Sequence, residues 1–356
     1  MDFGVLVFPQ PDRCVDHARL AEAKGFSHVW VEDSPMMAGD VYLCLGLMAR
    51  HTSRVTLGTG VAVVGTRSAP VAAHAIATVN QLAPGRVVFG LGTGNSARRA
   101  MGLPPCSLRE LREYIATLRG LLSNREVVYQ EGAETRRIRF FHKDYEFINT
   151  HEPIPIYVAA NAPQAMRLAG ELGDGWLTSR TNTVEGFEAA WRQVTTGIEN
   201  AGKNADRVDR VLFTTACLLG PNEGLDSERV MAQAGPWATV ALHSLYETLK
   251  EPEAAPAPLR SIFARYKAFM EQRLQDKDAY YFDLHDGHCL YVREEEAQFV
   301  TPEVIQTTTL TAQPAALLER LRSLERAGVR QVTFIPTFDA FEEFVTTFGE
   351  QVLARW

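Results

Sequence analysis

The sequence predicts an α/β protein folded as a (β/α)8 barrel, and three observations support this prediction. Short apolar runs with strand character alternate with segments of helical period along nearly the whole chain. The first and last units resemble each other, because aligning Gly25 with Gly328 places Val29 over Val332. The apolar runs number eight and begin near residues 3, 29, 55, 87, 156, 176, 211 and 332. Eight alternating units over this length favour a closed barrel over a doubly wound open sheet.

Each predicted element rests on a run of apolar residues and on the residue at which that run stops. The first unit is a strand at residues 3–8, a helix that stops at Gly25, and a strand at 29–31. The last unit is a helix that stops at Gly328, followed by a strand at 332–335. Between them the sequence predicts, in chain order, a helix at 41–50, a strand at 55–57, a helix at 71–82, a strand at 87–91, a helix at 108–122, a strand at 156–159, a helix at 162–172, a strand at 176–178, a helix at 184–201 and a strand at 211–218.

Two segments interrupt the alternation within what we expect to be a single domain spanning residues 1–356. Residues 126–148 have the pattern of a β-hairpin inserted before the fifth strand, with apolar residues flanking a turn at Gly132. Residues 221–309 form a longer insertion between the seventh and eighth strands. Loops at the carboxyl ends of barrel strands build active sites, so this insertion is expected to cover the substrate pocket. A role in dimerisation or in covering surface from solvent is the open alternative.

Composition restricts the class of protein further. With 356 residues, of which 46% are hydrophobic, the chain can bury a large core. The net charge of −7 comes from interspersed acidic and basic residues, and no run of lysine or arginine is long enough to follow a phosphate backbone, so no nucleic-acid partner is expected. No apolar run reaches the roughly 20 residues of a membrane helix, so we expect a cytoplasmic protein without membrane contact. The five cysteines are odd in number and include no Cys-x-x-Cys pair, which indicates neither a disulfide framework nor a zinc site.

A glycine-spaced turn ends the fourth predicted strand. The apolar run at 87–91 suits a strand buried on both faces, and Gly90, Gly92 and Gly94 follow at alternate positions. Glycine allows the backbone to approach a flat or phosphorylated ligand closely. The turn is therefore a candidate cofactor cradle, although such turns are weak signals when taken alone.

Seven segments together carry a family resemblance. They are Phe3-Gly4-Val5; Gly25-Phe26 with Val29-Trp30-Val31-Glu32-Asp33; Leu57-Gly58-Thr59-Gly60-Val61; Arg67-Ser68-Ala69-Pro70; Gly85-Arg86 with Gly90-Leu91-Gly92-Thr93-Gly94-Asn95; Pro155-Ile156-Tyr157-Val158-Ala159-Ala160-Asn161; and Ala169-Gly170-Glu171-Leu172-Gly173-Asp174-Gly175-Trp176. In this order and spacing they resemble the bacterial luciferase-like family of flavin-dependent monooxygenases and its deazaflavin-dependent relatives, such as methylenetetrahydromethanopterin reductases. The match runs from residue 1 to about 215 and resumes near Thr309. It implies a (β/α)8 barrel, a flavin or deazaflavin at the carboxyl rim of the barrel, and frequent dimerisation.

The resemblance points first to the end of the second strand. Asp33 is expected to reach the barrel mouth as a catalytic group that accepts a hydrogen bond from the flavin or the substrate, while Glu32 would point elsewhere in the pleat. A structural cap is the alternative role for Asp33. Ser34 is a candidate substrate contact, and many deazaflavin-dependent dehydrogenases have histidine at the matching position. This departure puts their base-assisted alcohol oxidation in doubt.

The ends of the third and fourth strands are candidate cofactor contacts. In the deazaflavin relatives the bond that matches Gly60-Val61 is a non-prolyl cis peptide beside the ring. Asn95 is expected to orient a substrate by hydrogen bonds, since an amide is not an acid, whereas some deazaflavin sugar-phosphate dehydrogenases have glutamate there. The candidate cofactor contacts at these two strand ends are Gly60, Val61, Gly92, Thr93, Gly94 and Asn95.

The end of the fifth strand is the best candidate phosphate site. Ala159 and Ala160 are small, Asn161 is a plausible N-cap, and Pro163 suits the first turn of a helix. Free backbone N–H groups at that helix start would then face a phosphate. Hydroxyl donors at the end of the next strand come from Thr178 and Ser179.

Three further residues are candidate substrate contacts. Arg67 lies in a loop, where it would pair either with a ligand anion or with a neighbouring carboxylate. His285 and His288 lie in the long insertion, with His285 as a substrate contact and His288 as a proton-transfer group. Their spacing is that of a metal pair, but no third ligand is evident nearby, so no metal is expected.

The predicted function is that of a luciferase-like oxidoreductase, acting as a homodimer. The favoured hypothesis is a monooxygenase that uses reduced FMN and O2 to oxygenate a small, partly apolar organic substrate. A separate flavin reductase would supply the reduced FMN, because no nicotinamide-binding Gly-x-Gly-x-x-Gly unit is visible. The first alternative is hydride transfer with the deazaflavin coenzyme F420. The alternative from another class is a flavin-binding protein without turnover.

Overall fold

A computed structural model describes residues 1–179, 182–274, 276 and 279–356 of the chain, with Lys143 described at its backbone only. Its strands are β1 (Asp2–Val7), β2 (His28–Val31), β3 (Thr56–Thr59), β4 (Ala62–Val63), β5 (Val87–Gly92), β6 (Val127–Glu131), β7 (Glu134–Ile138), β8 (Ile156–Ala159), β9 (Gly175–Thr178), β10 (Asp209–Thr214) and β11 (Gln331–Phe334). Its helices are α1 (Cys14–Ala23), α2 (Val41–His51), α3 (Ala69–Leu82), α4 (Asn95–Arg99), α5 (Leu108–Leu122), α6 (Pro163–Leu172), α7 (Val184–Asn200), α8 (Glu228–Thr248), α9 (Arg260–Arg273), α10 (Tyr280–His285), α11 (Pro302–Thr308), α12 (Pro314–Arg326) and α13 (Phe341–Gln351).

Eight parallel strands of the described chain close into a barrel. Their order is β1, β2, β3, β5, β8, β9, β10 and β11, and β11 pairs again with β1. Closure joins distant parts of the sequence, because Asp2 pairs with Gln331 while Gly4 pairs with His28. The predicted (β/α)8 barrel is confirmed, with strand ends that differ from the sequence-based bounds by up to four residues.

Alternate residues of the barrel strands face two different cores. Val29 and Val31 of β2 pack against the surrounding helices, whereas Trp30 between them fills the barrel interior. Tyr157 of β8 and Phe213 of β10 lie in the same interior cluster as Trp30. Gly58 on β3 makes room for these rings, because a Cβ atom there would lie 2.6 Å from the Trp30 indole. The interior is thus a packed core below the mouth.

The two interrupting segments form structures of their own. Between α5 and β8, strands β6 and β7 pair antiparallel within the 126–148 segment. Between β10 and α12, the 221–309 segment contains α8, α9, α10 and α11 around a separate apolar core that includes Phe263 and Leu284. Cys289 of this segment packs into the interior cluster with Trp30, which places the segment over the carboxyl ends of the strands. Among the described residues, none of the helices is both long enough and apolar enough to cross a bilayer.

Candidate active site at the barrel mouth

A cavity of about 640 Å³ lies between the carboxyl ends of β1 and β2 and the long insertion. Phe8 and Glu32 form its floor at the strand ends, and residues 281–291 form much of its roof. Its described lining residues are Phe8, Glu32, Met36, Met37, Ala100, Met101, Tyr281, Phe282, His285, Asp286, Gly287, His288, Leu290 and Tyr291. The cavity is a half-open cleft of mixed apolar and polar lining, and clefts of this kind commonly bind small organic ligands.

Glu32, and not Asp33, is the carboxylate that faces this cavity. Successive residues of a strand point to opposite sides, so Glu32 continues the interior row of Trp30 and Asp33 continues the outer row of Val31. The orientation predicted for these two acids was therefore wrong. Every residue of the run Val29-Trp30-Val31 is apolar, so the sequence alone does not show which alternate residues face the barrel interior. The large aromatic Trp30 in the middle was the available signal, since a barrel interior needs such a ring to fill it.

Asp33 is held by an ion pair away from the cavity. Its carboxylate is almost fully buried, accepts two hydrogen bonds of 2.9 Å from one Arg67 nitrogen, and accepts a third of 3.1 Å from the Val63 backbone N–H. Arg67 also donates to Asp40 at 2.7 Å. Of the two partners predicted for Arg67, the structure therefore shows the neighbouring carboxylate. Asp33 thus holds β4 and the loop that follows it, and its carboxylate does not line the cavity.

Glu32 is partly buried and has no positive partner among the described residues. The Ser34 hydroxyl donates to it at 3.2 Å. Ser34, predicted as a substrate contact, is not among the described residues that line the cavity. Burial, opposed by the hydrogen bond from Ser34 and reinforced by the charge of Asp33, raises the pKa of Glu32 to about 7. A carboxyl group with such a pKa exchanges its proton near neutral pH, which suits acid–base work.

The two predicted histidines both line the cavity, with their ring centroids 5.8 Å apart. Burial lowers the pKa of His288 to about 3, so its imidazole is neutral at physiological pH, and its Nδ1 atom has no hydrogen-bond partner within the described chain. His285 Nε2 lies 3.2 Å from Glu247, in a geometry too bent for a hydrogen bond. Glu247 in turn lies 3.5 Å from Arg99, which connects the insertion to the end of α4.

A second buried polar cluster of the insertion lies behind these histidines. Glu296 accepts hydrogen bonds from Tyr266 at 2.8 Å and from Arg293 at 3.1 Å, and it lies 3.0 Å from His243 Nε2. Burial alone would raise the pKa of Glu296, but these partners lower it to about 2. Its negative charge is thus satisfied inside the insertion. Within the described residues, no group of three or more His, Cys, Asp and Glu side chains is arranged to hold a metal ion.

The predicted cofactor contacts lie on the other side of the mouth, around β3, β5, β8 and β9. The Gly60–Val61 peptide bond is cis. Val61 packs against Gly92, where a Cβ atom would lie 2.7 Å from the valine side chain. Thr93 is partly exposed beside them, and Gly94 has a positive φ of 83° at the start of α4. Asn95 begins that short helix as an exposed residue and accepts a hydrogen bond from Arg99 at 3.3 Å.

Asn161 joins the ends of β8 and β9 instead of capping a helix. Its Oδ1 atom accepts hydrogen bonds from the Thr178 hydroxyl at 2.9 Å and the Ser179 backbone N–H at 3.1 Å, and its Nδ2 atom donates to the Ser179 hydroxyl at 3.1 Å. The N-cap of α6 is Ala162, which supplies no side-chain acceptor. The N-cap predicted at Asn161 is therefore wrong by one residue.

The uncapped start of α6 remains suited to an anion. Pro163 occupies the first turn as predicted, and the Gln164 and Ala165 N–H groups lack the side-chain acceptor that a polar N-cap would provide. Such N–H groups and the positive end of the helix dipole attract phosphate. Ala159 is partly exposed at the end of β8, while Ala160 is buried and accepts a hydrogen bond from Trp176 through its carbonyl group. The residues present thus fit a cofactor that has a flat ring and a phosphate.

Comparison with known proteins places this geometry in context. The family model described as luciferase-like monooxygenase matches residues 2–331. A 5,10-methylenetetrahydromethanopterin reductase of Methanolobus tindarius is 32% identical over 245 residues, which cover 68% of this chain and 71% of the relative. An F420-dependent glucose-6-phosphate dehydrogenase of Nakamurella multipartita is 25% identical over an alignment that covers 97% of this chain and 92% of the relative.

A solved structure shows the same fold over the whole length. The coenzyme F420-dependent tetrahydromethanopterin reductase of Methanopyrus kandleri superposes with a TM-score of 0.71 at 20% identity, and the match covers 99% of each chain. The match shows that the two chains share the overall fold.

Proposed function

The chain belongs to the luciferase-like monooxygenase family, and on that premise we propose that it is a coenzyme F420-dependent oxidoreductase acting on a small organic molecule. The observation that carries this proposal is the function of the sequence relatives described above. One is a methylenetetrahydromethanopterin reductase and the other an F420-dependent dehydrogenase that aligns along nearly the entire chain. The deazaflavin hypothesis is thus better supported than the reduced-FMN monooxygenase that the sequence alone favoured.

The chain's own residues supply position, shielding and an acid–base group. The start of α6 would hold the cofactor phosphate, and the Asn161 network would keep the ends of β8 and β9 in place beneath it. Val61, Thr93 and the backbone of Gly92 would border the ring. When bound, coenzyme F420 supplies or accepts a hydride. Glu32 faces the space in which a substrate would lie and would give or take the accompanying proton.

The insertion would shield this reaction from water. Cys289 and Phe8 pack together in the interior cluster, while Tyr281 and Leu290 extend the roof of the cavity. Neutral His288 borders the same space and can exchange a hydrogen bond with the substrate. Asn95, which is exposed and bonded to Arg99, would contribute by hydrogen bonding alone.

A sugar phosphate is a poor candidate for the substrate. No lysine or arginine is among the described residues that line the cavity, so a phosphate group there would lack the cationic side chains that commonly bind it. Many deazaflavin-dependent dehydrogenases have histidine at the position that matches Ser34, and some that act on sugar phosphates have glutamate at the position that matches Asn95. This chain has neither residue. These features favour reduction or oxidation of a molecule without phosphate.

The second candidate function is oxygenation with reduced FMN, which the description of the family supports. It would require O2 and a flavin reductase as partners. A flavin-binding protein without turnover is a third hypothesis, but an intact barrel and a covered cavity favour catalysis.

Cofactor binding decides between these hypotheses. The purified protein is titrated separately with coenzyme F420 and, without oxygen, with reduced FMN, and the affinity is measured by fluorescence or absorbance. We expect micromolar or tighter binding of coenzyme F420 and at least tenfold weaker binding of reduced FMN. Tight binding of reduced FMN, with O2 consumption after mixing with air, would overturn the proposal in favour of the monooxygenase. Binding of neither would leave the third hypothesis and this one both without support.

We also propose that the protein is a homodimer. The segment after β7 exposes three aromatic side chains, namely Phe141, Tyr145 and Phe147, each with about 70% of its surface accessible. Exposed apolar patches of this kind commonly mark an interface between copies of a chain. A cytoplasmic location stays a prediction from the sequence.

A further inference from the structure

We propose that the cavity at the barrel mouth binds an organic cation, an amine or a protonated nitrogen heterocycle, whose positive nitrogen pairs with the carboxylate of Glu32. The proposal deepens the proposed function, because this cation would be the substrate of the F420-dependent reaction. It names a binding group that the sequence-based expectations overlooked and a substrate class that differs from a sugar phosphate.

The first support is that Glu32 lacks a cationic partner, whereas two other acids of the described chain, Asp33 and Glu296, have one. Asp33 is paired with Arg67, and Glu296 is surrounded by His243 and Arg293. Within the described residues, Glu32 accepts a hydrogen bond from Ser34 alone, and no positive charge acts on its pKa. Even partial burial of a carboxylate without a partner is costly, and Glu32 lies at the cavity floor, so we infer that its positive partner arrives with the ligand.

The second support is the charge of the whole cavity. The lining contains a second acid, Asp286, and no lysine or arginine among the described residues. His288 does not compensate, because it stays neutral at physiological pH. His285 faces Glu247 and lies beside His288. A cation entering this space meets two acids, whereas an anion meets no opposite charge that the described lining provides.

The third support is the chemistry of the walls. Phe8, Tyr281, Phe282 and Tyr291 supply aromatic rings, while methionines supply polarisable sulfur atoms. Aromatic faces attract cations, and methionine packs around ligands of irregular shape. The walls therefore suit a nitrogen that carries methyl, methylene or ring carbon atoms, and Glu32 at the floor selects its positive charge.

A matched pair of probes tests the inference without knowledge of the natural substrate. Choline and 3,3-dimethylbutan-1-ol have the same shape and differ in the positive nitrogen, and glucose 6-phosphate provides an anion. The affinity of each is measured at pH 8 by calorimetry or ligand-observed NMR. We expect choline to bind roughly tenfold or more tightly than the alcohol, with the anion weakest. Equal affinity, preference for the anion, or binding of none of the three would contradict the proposal.

Two variants separate the effect of the Glu32 carboxylate on cation binding from the effect of the other acidic residue that lines the cavity, Asp286. Glu32→Gln should remove most of the preference for choline and leave the affinity for the alcohol unchanged. Asp286→Asn is the matched control, because Asp286 is exposed and already accepts a hydrogen bond from Tyr291, so the preference should fall by less than about threefold. Retention of the full preference in Glu32→Gln would overturn the assignment.

Two further readouts keep the test decisive if a variant folds poorly or the cofactor hypothesis fails. In the unaltered protein, choline affinity should increase between pH 6 and pH 8 as Glu32 ionises, while affinity for the alcohol stays level. The titratable and polar groups that border Glu32 in that experiment are Asp33, Ser34, Tyr281, His285, Asp286, His288, Cys289 and Tyr291. Titration of each variant with coenzyme F420 gives the separate readout. Selective choline binding without F420 binding would refute the proposed function alone, and the reverse result would refute this inference alone.

Discussion

Glu32 and Asp33 are neighbours in the sequence, yet the fold gives them opposite surroundings. Asp33 turns outward to a fixed guanidinium group, while Glu32 turns inward to a cavity that the described part of the chain leaves without a cation. An acid without a partner destabilises the folded state when it is ionised, and a paired acid stabilises it. Substitutions of Glu32 and Asp33 should therefore change the stability of the protein in opposite directions.

Replacing Glu32 should stabilise the protein at alkaline pH. The pKa of Glu32 rises from 4.5 in the unfolded chain to about 7 in the fold, so between these values the folded state holds a proton that the unfolded chain has lost. Stability therefore falls as pH rises through this window, and Glu32→Gln removes the effect. We expect the variant to gain about 1–3 kcal/mol over the unaltered protein at pH 8 and little at pH 5. Urea denaturation at both pH values measures the difference.

The control for this prediction is Glu350→Gln, which alters an exposed acid paired with Lys24. Its effect should be small and nearly the same at both pH values. A gain in Glu32→Gln that did not grow with pH would show that Glu32 is already ionised in the apoprotein.

Replacing Asp33 should have the opposite effect on stability. Asp33→Asn leaves Arg67 half-buried with Asp40 as its remaining acid, and we expect a loss of about 2 kcal/mol in the free energy of unfolding. Asp40→Asn is the control, because that pair is more exposed and asparagine still caps α2, so the loss should stay below about 1 kcal/mol. If Asp33→Asn instead left stability unchanged and abolished choline selectivity, the orientation of the two acids would be the reverse of the one described.

At the scale of elements, the start of α6 can be tested by giving it the cap that it lacks. Ala162→Asp places a carboxylate on the free N–H groups, which should stabilise the protein by about 0.5–1 kcal/mol. The same carboxylate would occupy and repel the phosphate site, so affinity for coenzyme F420 should fall at least tenfold. Thermal unfolding and fluorescence titration measure the two effects.

A second helix provides a matched control for this substitution. Helix α12 also has an extended N-cap residue without a side-chain bond, Gln313, followed by a proline at the first helical position. Gln313→Asp should give a similar gain in stability and leave F420 affinity within about twofold. Equal loss of affinity in both variants would mean that the cofactor phosphate does not lie at α6.

Most helices and strands were predictable from the sequence, because the spacing of apolar residues and the glycines that end helices are visible within short stretches of the chain. All eight barrel strands lie where apolar runs occur, and β6 and β7 lie in the segment with the hairpin pattern. The short α4 and β4 were not predicted, since five and two residues carry too little periodicity to detect. Which face of β2 looks inward depends on packing across the barrel. That contact is not local, so the sequence-based prediction exchanged the orientations of Glu32 and Asp33.

The candidate site was predictable where backbone features determine it. The glycine-spaced turn after β5 and the proline at the start of α6 carry their signals in the residue type. The cavity itself was not predictable from the sequence, because its roof is formed by residues that lie more than 240 positions after Glu32 in the chain. The sequence does not show whether a carboxylate at the end of an apolar strand has a cationic partner. Only the folded structure shows that Glu32 has none among the described residues.

At the scale of the whole molecule, the assembly can be tested through the exposed aromatic segment. Light scattering should give twice the mass of one chain, and the combined change of Phe141, Tyr145 and Phe147 to serine should shift the protein towards monomer. The control is Phe282→Ser, which removes an equally exposed ring at the cavity. A monomeric unaltered protein, or a dimer insensitive to the three changes, would contradict this interface.

The pairing of β1 with β11 also bears on how the protein is made. During synthesis β1 has its neighbour β2 available early, but its other neighbour, β11, is translated only after about 300 further residues. Until then β1 and β10 both present open strand edges, which attract wrong partners. The nascent chain should therefore depend on holding chaperones, and abundance in the cell should respond to translation speed downstream of β10 more than to changes in the early helices.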